Sequence, residues 1–269
     1  MDLQLGNKVA LVTGSSKGIG EGVARGLAKE GATVLIHGRD RSKTEEVAHD
    51  IVSSGGRAFA VLGDLTVQDQ VDGLVRDCEA AAGPIDILVN NAGGSAPAED
   101  WSSTTSNTWA TVYDRNVLAS MRITSLVLPA MKESRWGRII NISSLAALMP
   151  PANRPDYSAA KAAMIAMTAS LAKDVAAYGV TANTVSPGTI HSVSLDTAFR
   201  KRASEKGMSF DAPWNDIERE ILPMFAQVPL GRVGTLEEIA DAIAFLSSPR
   251  AGYITGANLR LDGGMWPGL

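Results

Sequence analysis

Val9-Ala-Leu-Val-Thr-Gly14-Ser-Ser-Lys-Gly18-Ile-Gly20 is the stretch that decides the fold. Val9 to Val12 is an uninterrupted apolar run, which reads as a parallel strand buried on both faces. Glycines follow at 14, 18 and 20, and then Ile19, Val23 and Leu27 fall on one face of a helix predicted over about Ile19–Lys29. Strand, glycine turn and helix in this order make a phosphate cradle. The glycines let the chain turn sharply and bring backbone N–H groups close to an anion, and the helix N-terminus adds partial positive charge. The spacing is G-x-x-x-G-x-G, a variant of the G-x-G-x-x-G fingerprint.

Outward from this turn the pattern repeats. Strands are expected at Val9–Val12, Thr33–Ile36, Ala58–Leu62, Ile85–Val89, Arg138–Ile142, Thr181–Val185 and Asn258–Leu261. Helices are expected at Ile19–Lys29, Ser42–Ser53, Gln68–Ala81, Thr108–Lys132, Tyr157–Ala177 and Leu236–Leu246. Such alternation calls for an α/β protein: one doubly wound parallel sheet of about seven strands with helices on both faces. Ligands of such sheets sit beyond the carboxyl ends of the strands. Gly14, Asp64, Asn90, Ser144 and Pro187 all fall just after predicted strands, so one crevice can gather them. The rhythm breaks only from about 190 to 230, a segment with the basic run Arg200-Lys-Arg202 and an apolar stripe at Ile217, Ile221 and Phe225. Pro223 is expected to disturb that stripe's helix. The segment reads as a helical lid inserted in a single domain spanning 1–269, or alternatively as a subunit contact or surface hairpin.

Composition narrows the function. The chain has 269 residues, 45% hydrophobic and 20% charged, enough for one large core and unlike a disordered chain. A net charge of −4 argues against general nucleic-acid binding. One cysteine, Cys78, excludes an internal disulfide and points to a reducing compartment; it has no metal-ligand neighbours, and no metal is expected. Met1 to Leu5 has neither the basic start nor the apolar block of a signal peptide. No apolar run approaches the ~18 residues of a membrane span. A cytoplasmic protein is expected.

The chemistry is concentrated in Asp156-Tyr-Ser-Ala-Ala-Lys161, with the pair Ser143-Ser144 just upstream. Tyr157 and Lys161 stand four apart, one turn along the same helix face. An ammonium beside a phenol favours the phenolate and draws it from its usual value near ~10 towards neutrality. A tyrosine tuned this way gives or takes protons at working pH. Ser144, thirteen positions before Tyr157, can offer a hydroxyl to the same substrate oxygen; Ser143 is the alternative, disfavoured by strand alternation.

Taken together, Thr13 to Gly20, Asp64-Leu65, Asn90-Asn-Ala-Gly93, Asn116, Ser144, Tyr157 with Lys161, and Pro187-Gly188 resemble the short-chain dehydrogenase/reductase family from about Leu5 to Met265. Within it, the resemblance is nearest to the beta-ketoacyl-acyl-carrier-protein reductases and microbial ketoreductases, whose tail is similar to Ile254 to Gly264. The resemblance implies a Rossmann-type dinucleotide-binding domain and an enzyme. Tyr157 would be the general acid in carbonyl reduction and the base in alcohol oxidation. Ser144 would hold the carbonyl oxygen, Lys161 would lower the phenol pKa and bind the nicotinamide ribose, and Asn116 would hold a relay water. It further implies a cofactor site of Gly14, Ser16, Lys17, Gly18, Ile19, Gly20, Arg39, Asp64, Leu65, Asn91, Ala92, Gly93, Tyr157, Lys161, Pro187, Gly188, Thr189 and Ile190. In that site Asp64 would meet the adenine edge. Thr189 would donate to the pyrophosphate or the nicotinamide amide, and the Ile190 side chain would touch that ring.

NAD-preferring relatives usually carry an acid at the end of the second strand. Here Leu35-Ile-His-Gly-Arg39-Asp40 puts Gly38 at that place and Arg39 after it, with Lys17 across the turn. An arginine fork and a lysine suit a 2′-phosphate, so NADP(H) is expected; Asp40 is placed to cap the next helix. Gly94, Ser95, Ala96 and Leu145 to Met149 are expected to face substrate, and their small or apolar character suggests an apolar arm beside the reacting carbonyl. The expected activity is NADPH-dependent reduction of a ketone such as a 3-oxoacyl thioester. The alternatives are an alcohol, sugar or hydroxysteroid dehydrogenase working oxidatively, or a cofactor sensor without turnover. Arg200 to Arg202 either receive an acyl carrier protein or form a solvated helix face. The resemblance implies a homotetramer built on the two long helices, which the apolar end Met265 to Leu269 is placed to join.

Overall fold

A computed structural model describes residues 1–268; Leu269, the last residue of the apolar end, lies outside the described residues. The elements run β1 (Val9–Val12), α1 (Gly18–Lys29), β2 (Thr33–Gly38), α2 (Arg41–Ser53), β3 (Arg57–Leu62), α3 (Gln68–Ala82) and β4 (Ile87–Asn90). They continue through α4 (Ser106–Tyr113), α5 (Ala119–Glu133), β5 (Gly137–Ile142), α6 (Pro155–Val175), β6 (Val180–Pro187), α7 (Val193–Glu205), α8 (Trp214–Phe225), α9 (Leu236–Ser247) and β7 (Asn258–Leu261). The seven strands form one sheet in the order β3-β2-β1-β4-β5-β6-β7, every pairing parallel. This is the doubly wound arrangement that the alternation predicts. The strand order reverses between β1 and β4, so a crevice opens beyond the carboxyl ends there.

Each strand feeds two cores because successive side chains point to opposite faces. Val12, Ile36, Val89 and Ile140 pack on one face with α1, α2 and α9, through residues such as Leu27, Ile51 and Ile243. Leu11, Leu35, Leu88 and Ile139 pack on the other with α3, α5 and α6, through Leu74, Ile123 and Val175. Burial on both faces leaves β1, β4, β5 and β6 with no exposed position, and makes β1 a continuous apolar run. No helix among the described residues is long and apolar enough to cross a membrane.

Three features differ from the expected pattern. The helix expected over Thr108–Lys132 is broken: a π-helical turn, Asp114–Leu118, separates α4 from α5 and carries Asn116. The 190–230 segment holds two helices rather than one, and Phe199, Ala203, Ile217, Ile221 and Leu222 give it a satellite core. Pro223 sits in the last turn of α8, which runs on to Phe225, because a proline there withdraws only one backbone bond near the helix end. The apolar stripe is shorter than expected: Phe225 is 64% exposed.

Candidate active site

The glycine turn is built as a cradle. Gly14 (φ +65°) and Gly18 (φ +62°) occupy the left-handed region that side chains avoid. A Cβ on Gly14 would lie 3.0 Å from Ala92 Cα, and one on Gly20 would collide with Asn91 and the Gly14 carbonyl. Asn91 clips the turn by donating to the carbonyls of Thr13 (2.9 Å) and Gly14 (3.1 Å). Thr13 Oγ1 accepts from the N–H groups of Asn91 and Ala92, both at 3.0 Å. The turn and the β4 end therefore form one rigid floor. Asn90 points the other way, into the sheet, where it donates to Asn141 and Thr124; it braces the strands.

A cleft of about 950 Å³ runs from this floor across the ends of β2 and β3. Gly14, Ser16, Lys17, Arg39, Asp64, Leu65, Asn91, Ala92 and Gly93 all line it, whereas Gly18 and Gly20 do not. Asp64 accepts from the Thr66 N–H (2.9 Å) and hydroxyl (2.7 Å) and pairs with Arg39 at 3.6 Å. The Thr66 bonds, then Arg39, hold its carboxyl below the usual range despite some burial. Asp40 caps α2 by accepting from the Lys43 N–H at 3.3 Å. Gly38 has no room for a side chain: an added Cβ would strike Thr44 Oγ1 and lie 3.1 Å from Ser16 Oγ.

The cleft continues into a smaller hollow walled by Ile19, Gly93, Gly94, Ser144, Tyr157, Lys161, Pro187 and Gly188. Ser144 lies two residues beyond the end of β5, and Tyr157 stands in the first turn of α6, where Asp156 accepts from the Tyr157 N–H at 2.7 Å. Both Ser143 and Ser144 border the hollow, but the buried Ser143 hydroxyl is committed to the Lys161 carbonyl at 2.8 Å, which leaves Ser144 to offer its hydroxyl there. Burial raises the Tyr157 pKa above its ordinary value; the neighbouring Ser144 hydroxyl and then Arg154 oppose the rise. Lys161 is 3% exposed and burial lowers its pKa to about 8. Its ammonium donates to the Ile142 carbonyl at 2.8 Å and lies 5.7 Å from the centre of the Tyr157 ring. Here the ammonium serves a strand carbonyl, and desolvation of the phenol prevails.

Asn116 is fully buried and its amide is engaged on all sides. It donates to the carbonyls of Gly94 (3.0 Å) and Val112 (2.8 Å), and it accepts from the Gly94 N–H (3.1 Å). The residue thus pins the loop after β4 beside Lys161. Thr189 lies across the end of β6, its carbonyl accepting from the Gly234 N–H at 2.9 Å. The Ile190 side chain packs in the core against Gly234 rather than on the hollow's wall. His191 stacks on Trp214 with centroids 3.8 Å apart and bonds Asp196 at 3.1 Å, which moors the start of α7. Arg200 is occupied by Asp196 and the carbonyls of Phe210 and Ala212, and Arg202 by Glu205, so the basic run is largely paired within its own segment.

Sheet order, glycine cradle and Ser144-Tyr157-Lys161 hollow define a dinucleotide-binding oxidoreductase of the doubly wound class. The chain belongs to the short-chain dehydrogenase/reductase family: the family model described as "short chain dehydrogenase" matches residues 8–203. It is 37% identical to the 3-oxoacyl-(acyl-carrier-protein) reductase FabG of Vibrio cholerae, over 98% of this chain and 99% of that protein. It is 34% identical to the reductase of the same name from Pseudomonas aeruginosa, over 98% and 99%. Among solved structures, an L-sorbose reductase from Gluconobacter frateurii complexed with NADPH and L-sorbose superposes with a TM-score of 0.91, at 30% identity and over the whole of both chains.

Proposed function

We propose that this protein is an NADPH-dependent ketoreductase in which Tyr157 delivers the proton. The single observation behind this reading is that Ser144, Tyr157 and Lys161 line one hollow that adjoins the glycine cradle. A phenol whose pKa burial raises keeps its proton at neutral pH, which suits a donor and hence the reductive direction. The residues present fit a dinucleotide: left-handed glycines and Asn91 frame the phosphates, and Pro187, Gly188 and Lys161 border the nicotinamide end. Bound there, the dinucleotide would supply the hydride. Ser144 and Tyr157 then hold the substrate oxygen between two donors, where negative charge develops. Lys161 stabilises the phenolate left after proton delivery, and Asn116 keeps the Gly94 loop in place.

Preference for NADP(H) is supported by three features of the β2 end. Gly38 has no space for the ribose-binding acid, Asp40 is committed to α2, and Arg39 and Lys17 line the cleft where a 2′-phosphate would lie. The 190–230 segment, with its satellite core and its mooring at His191, serves as the lid in this reading. A homotetramer remains part of it, by likeness to the family. A 3-oxoacyl thioester is the first substrate to test, given the similarity to the FabG reductases. A ketose is the second, because the L-sorbose reductase structure matches over the full chain.

The test is NADPH consumption with acetoacetyl-CoA, L-sorbose and simple ketones, each repeated with NADH and with Tyr157→Phe. Turnover is expected with NADPH in the wild type. In Tyr157→Phe it should fall by at least about a hundred-fold with NADPH binding retained. Full activity of Tyr157→Phe would overturn the assignment, and a preference for NADH would overturn the cofactor.

A further inference from the structure

His37 is a polar ring in an otherwise apolar strand, 3% exposed between Ile36 and Gly38. A buried polar group needs partners, and every polar group of His37 has one. Nδ1 accepts from the Gly14 N–H at 3.0 Å, and Nε2 meets the Gly63 carbonyl at 3.0 Å. The main-chain N–H donates to Ser15 Oγ at 2.9 Å, and the carbonyl accepts from the Ser15 N–H at 2.8 Å. Ser15 Oγ passes its own proton to the Val12 carbonyl at 2.6 Å.

The partners fix the tautomer. A backbone N–H only donates and a backbone carbonyl only accepts, so Nδ1 is bare and Nε2 carries the proton. A second proton on the ring would set one N–H against another. Burial works the same way and pushes the ring's pKa down; Asp64 opposes this and Arg39 adds to it.

The two bonded positions matter for the cleft. Gly14 is the left-handed first glycine of the cradle, and Gly63 immediately precedes Asp64, the partner of Arg39. One neutral ring therefore joins the cradle of β1 to the polar end of β3 across the intervening strand.

We propose that His37 is a positioning residue for the dinucleotide: it sets the distance and angle between the glycine turn and the Asp64–Arg39 edge. This rests on the reading that the cleft holds a dinucleotide. His37 acts through Gly14 and Gly63 and makes no contact with the reacting atoms, so its effect falls on cofactor binding and spares the chemical step.

The test compares His37→Leu, His37→Asn and His37→Gln by fluorescence titration with NADPH, together with kcat and the KM for NADPH. Leucine leaves Gly14 and Gly63 unpartnered and is expected to weaken NADPH about ten-fold, with kcat at saturating NADPH within about two-fold of wild type. Asparagine carries an acceptor where Nδ1 lies and should recover most of that loss; glutamine, whose acceptor lies one atom further out, should not. If His37→Leu fails to fold, the asparagine–glutamine comparison decides. Equal NADPH affinity in those two variants, or a loss in kcat with KM unmoved, would overturn the positioning role. Wild type that binds neither NADPH nor NADH in the same titration would instead refute the reading of the cleft.

Discussion

Replacing Lys161 by methionine is expected to make the free protein more stable while abolishing turnover. Burial lowers the Lys161 pKa from the ordinary 10.5 to about 8. A folded-state value below the unfolded one means that the unfolded chain binds more protons between pH 8 and 10.5, so stability rises with pH across that window. The penalty is fully present below pH 8 and gone above 10.5. At about 1.4 kcal/mol per pH unit it amounts to about 3 kcal/mol at pH 7. Methionine fills similar volume without charge, but it leaves the Ile142 carbonyl without the ammonium that now bonds it at 2.8 Å, a loss of about 1 kcal/mol. The net gain is about 2 kcal/mol. For a chain of this length, with an unfolding entropy of about 0.56 kcal/mol/K, that raises Tm by about 3 to 4 °C. Differential scanning fluorimetry of the ligand-free protein at pH 7 and pH 10 measures it. The advantage of Lys161→Met should be large at pH 7 and shrink towards pH 10. A variant less stable than wild type by the same margin at both pH values would refute the reasoning, because the buried ammonium would then carry no penalty.

Two further outcomes follow from the geometry. Ser144→Ala removes the neighbouring hydroxyl that opposes the upward pull on the Tyr157 phenol. The alkaline limb of the kcat profile for reduction should move to higher pH, with kcat down about a hundred-fold; a limb that stayed in place would count against a Ser144–Tyr157 bond in the working enzyme. Gly38→Asp should impair both NADPH and NADH binding instead of exchanging them, because its Cβ strikes Thr44 Oγ1, and only the double variant with Thr44→Ala should gain NADH use. Steady-state KM values for both dinucleotides decide this, and a clean switch in the single variant would contradict the packing at the β2 end.

The fold was legible wherever one physical rule dominated. Val9–Val12 matches its expected bounds residue for residue, as a short apolar run between turn signals, and Asn258–Leu261 matches as an alternating polar–apolar strand. The α4–α5 break was not legible, because a π-helical turn adds a residue without changing composition. α7 was foreseen only as a solvated helix face at Arg200–Arg202, without bounds, because Phe199 and Ala203 are its only fully covered residues. At the site, spacing read together with the glycine turn pointed to Ser144, Tyr157 and Lys161, which line one hollow. Spacing does not say where a flexible ammonium points, and the nearest free acceptor turned out to be a carbonyl nineteen residues earlier. Spacing likewise does not say that the Ile190 side chain packs against Gly234, three residues beyond the end of β6. His37 was visible as a histidine in an apolar strand, but its partners lie 23 residues before and 26 after it.

The unfavourable local features of this protein gather at one end of the sheet, and their coincidence is itself an argument for function. Lys161 is a buried cation whose nearest partners are a carbonyl and the Met164 sulfur, not a carboxylate. Tyr157 carries a phenol that burial makes a weaker acid. The α4–α5 helix gives up regular hydrogen bonding over Asp114–Leu118. Stability alone favours none of these; leucine, phenylalanine and an unbroken helix would all pack better. The three meet around Gly93, where an added Cβ would run into Asn116 Oδ1 and lie 3.6 Å from Lys161 Nζ. A π-helical turn changes the facing of the residues after it by one position, and here it lets Asn116 turn inward to hold Gly94 from both of its backbone groups. We propose that the break persists for that reason. A regular helix would rotate Asn116 off Gly94, the loop would relax across Lys161, and the ammonium would lose its clear approach to the phenol once the proton has gone to substrate.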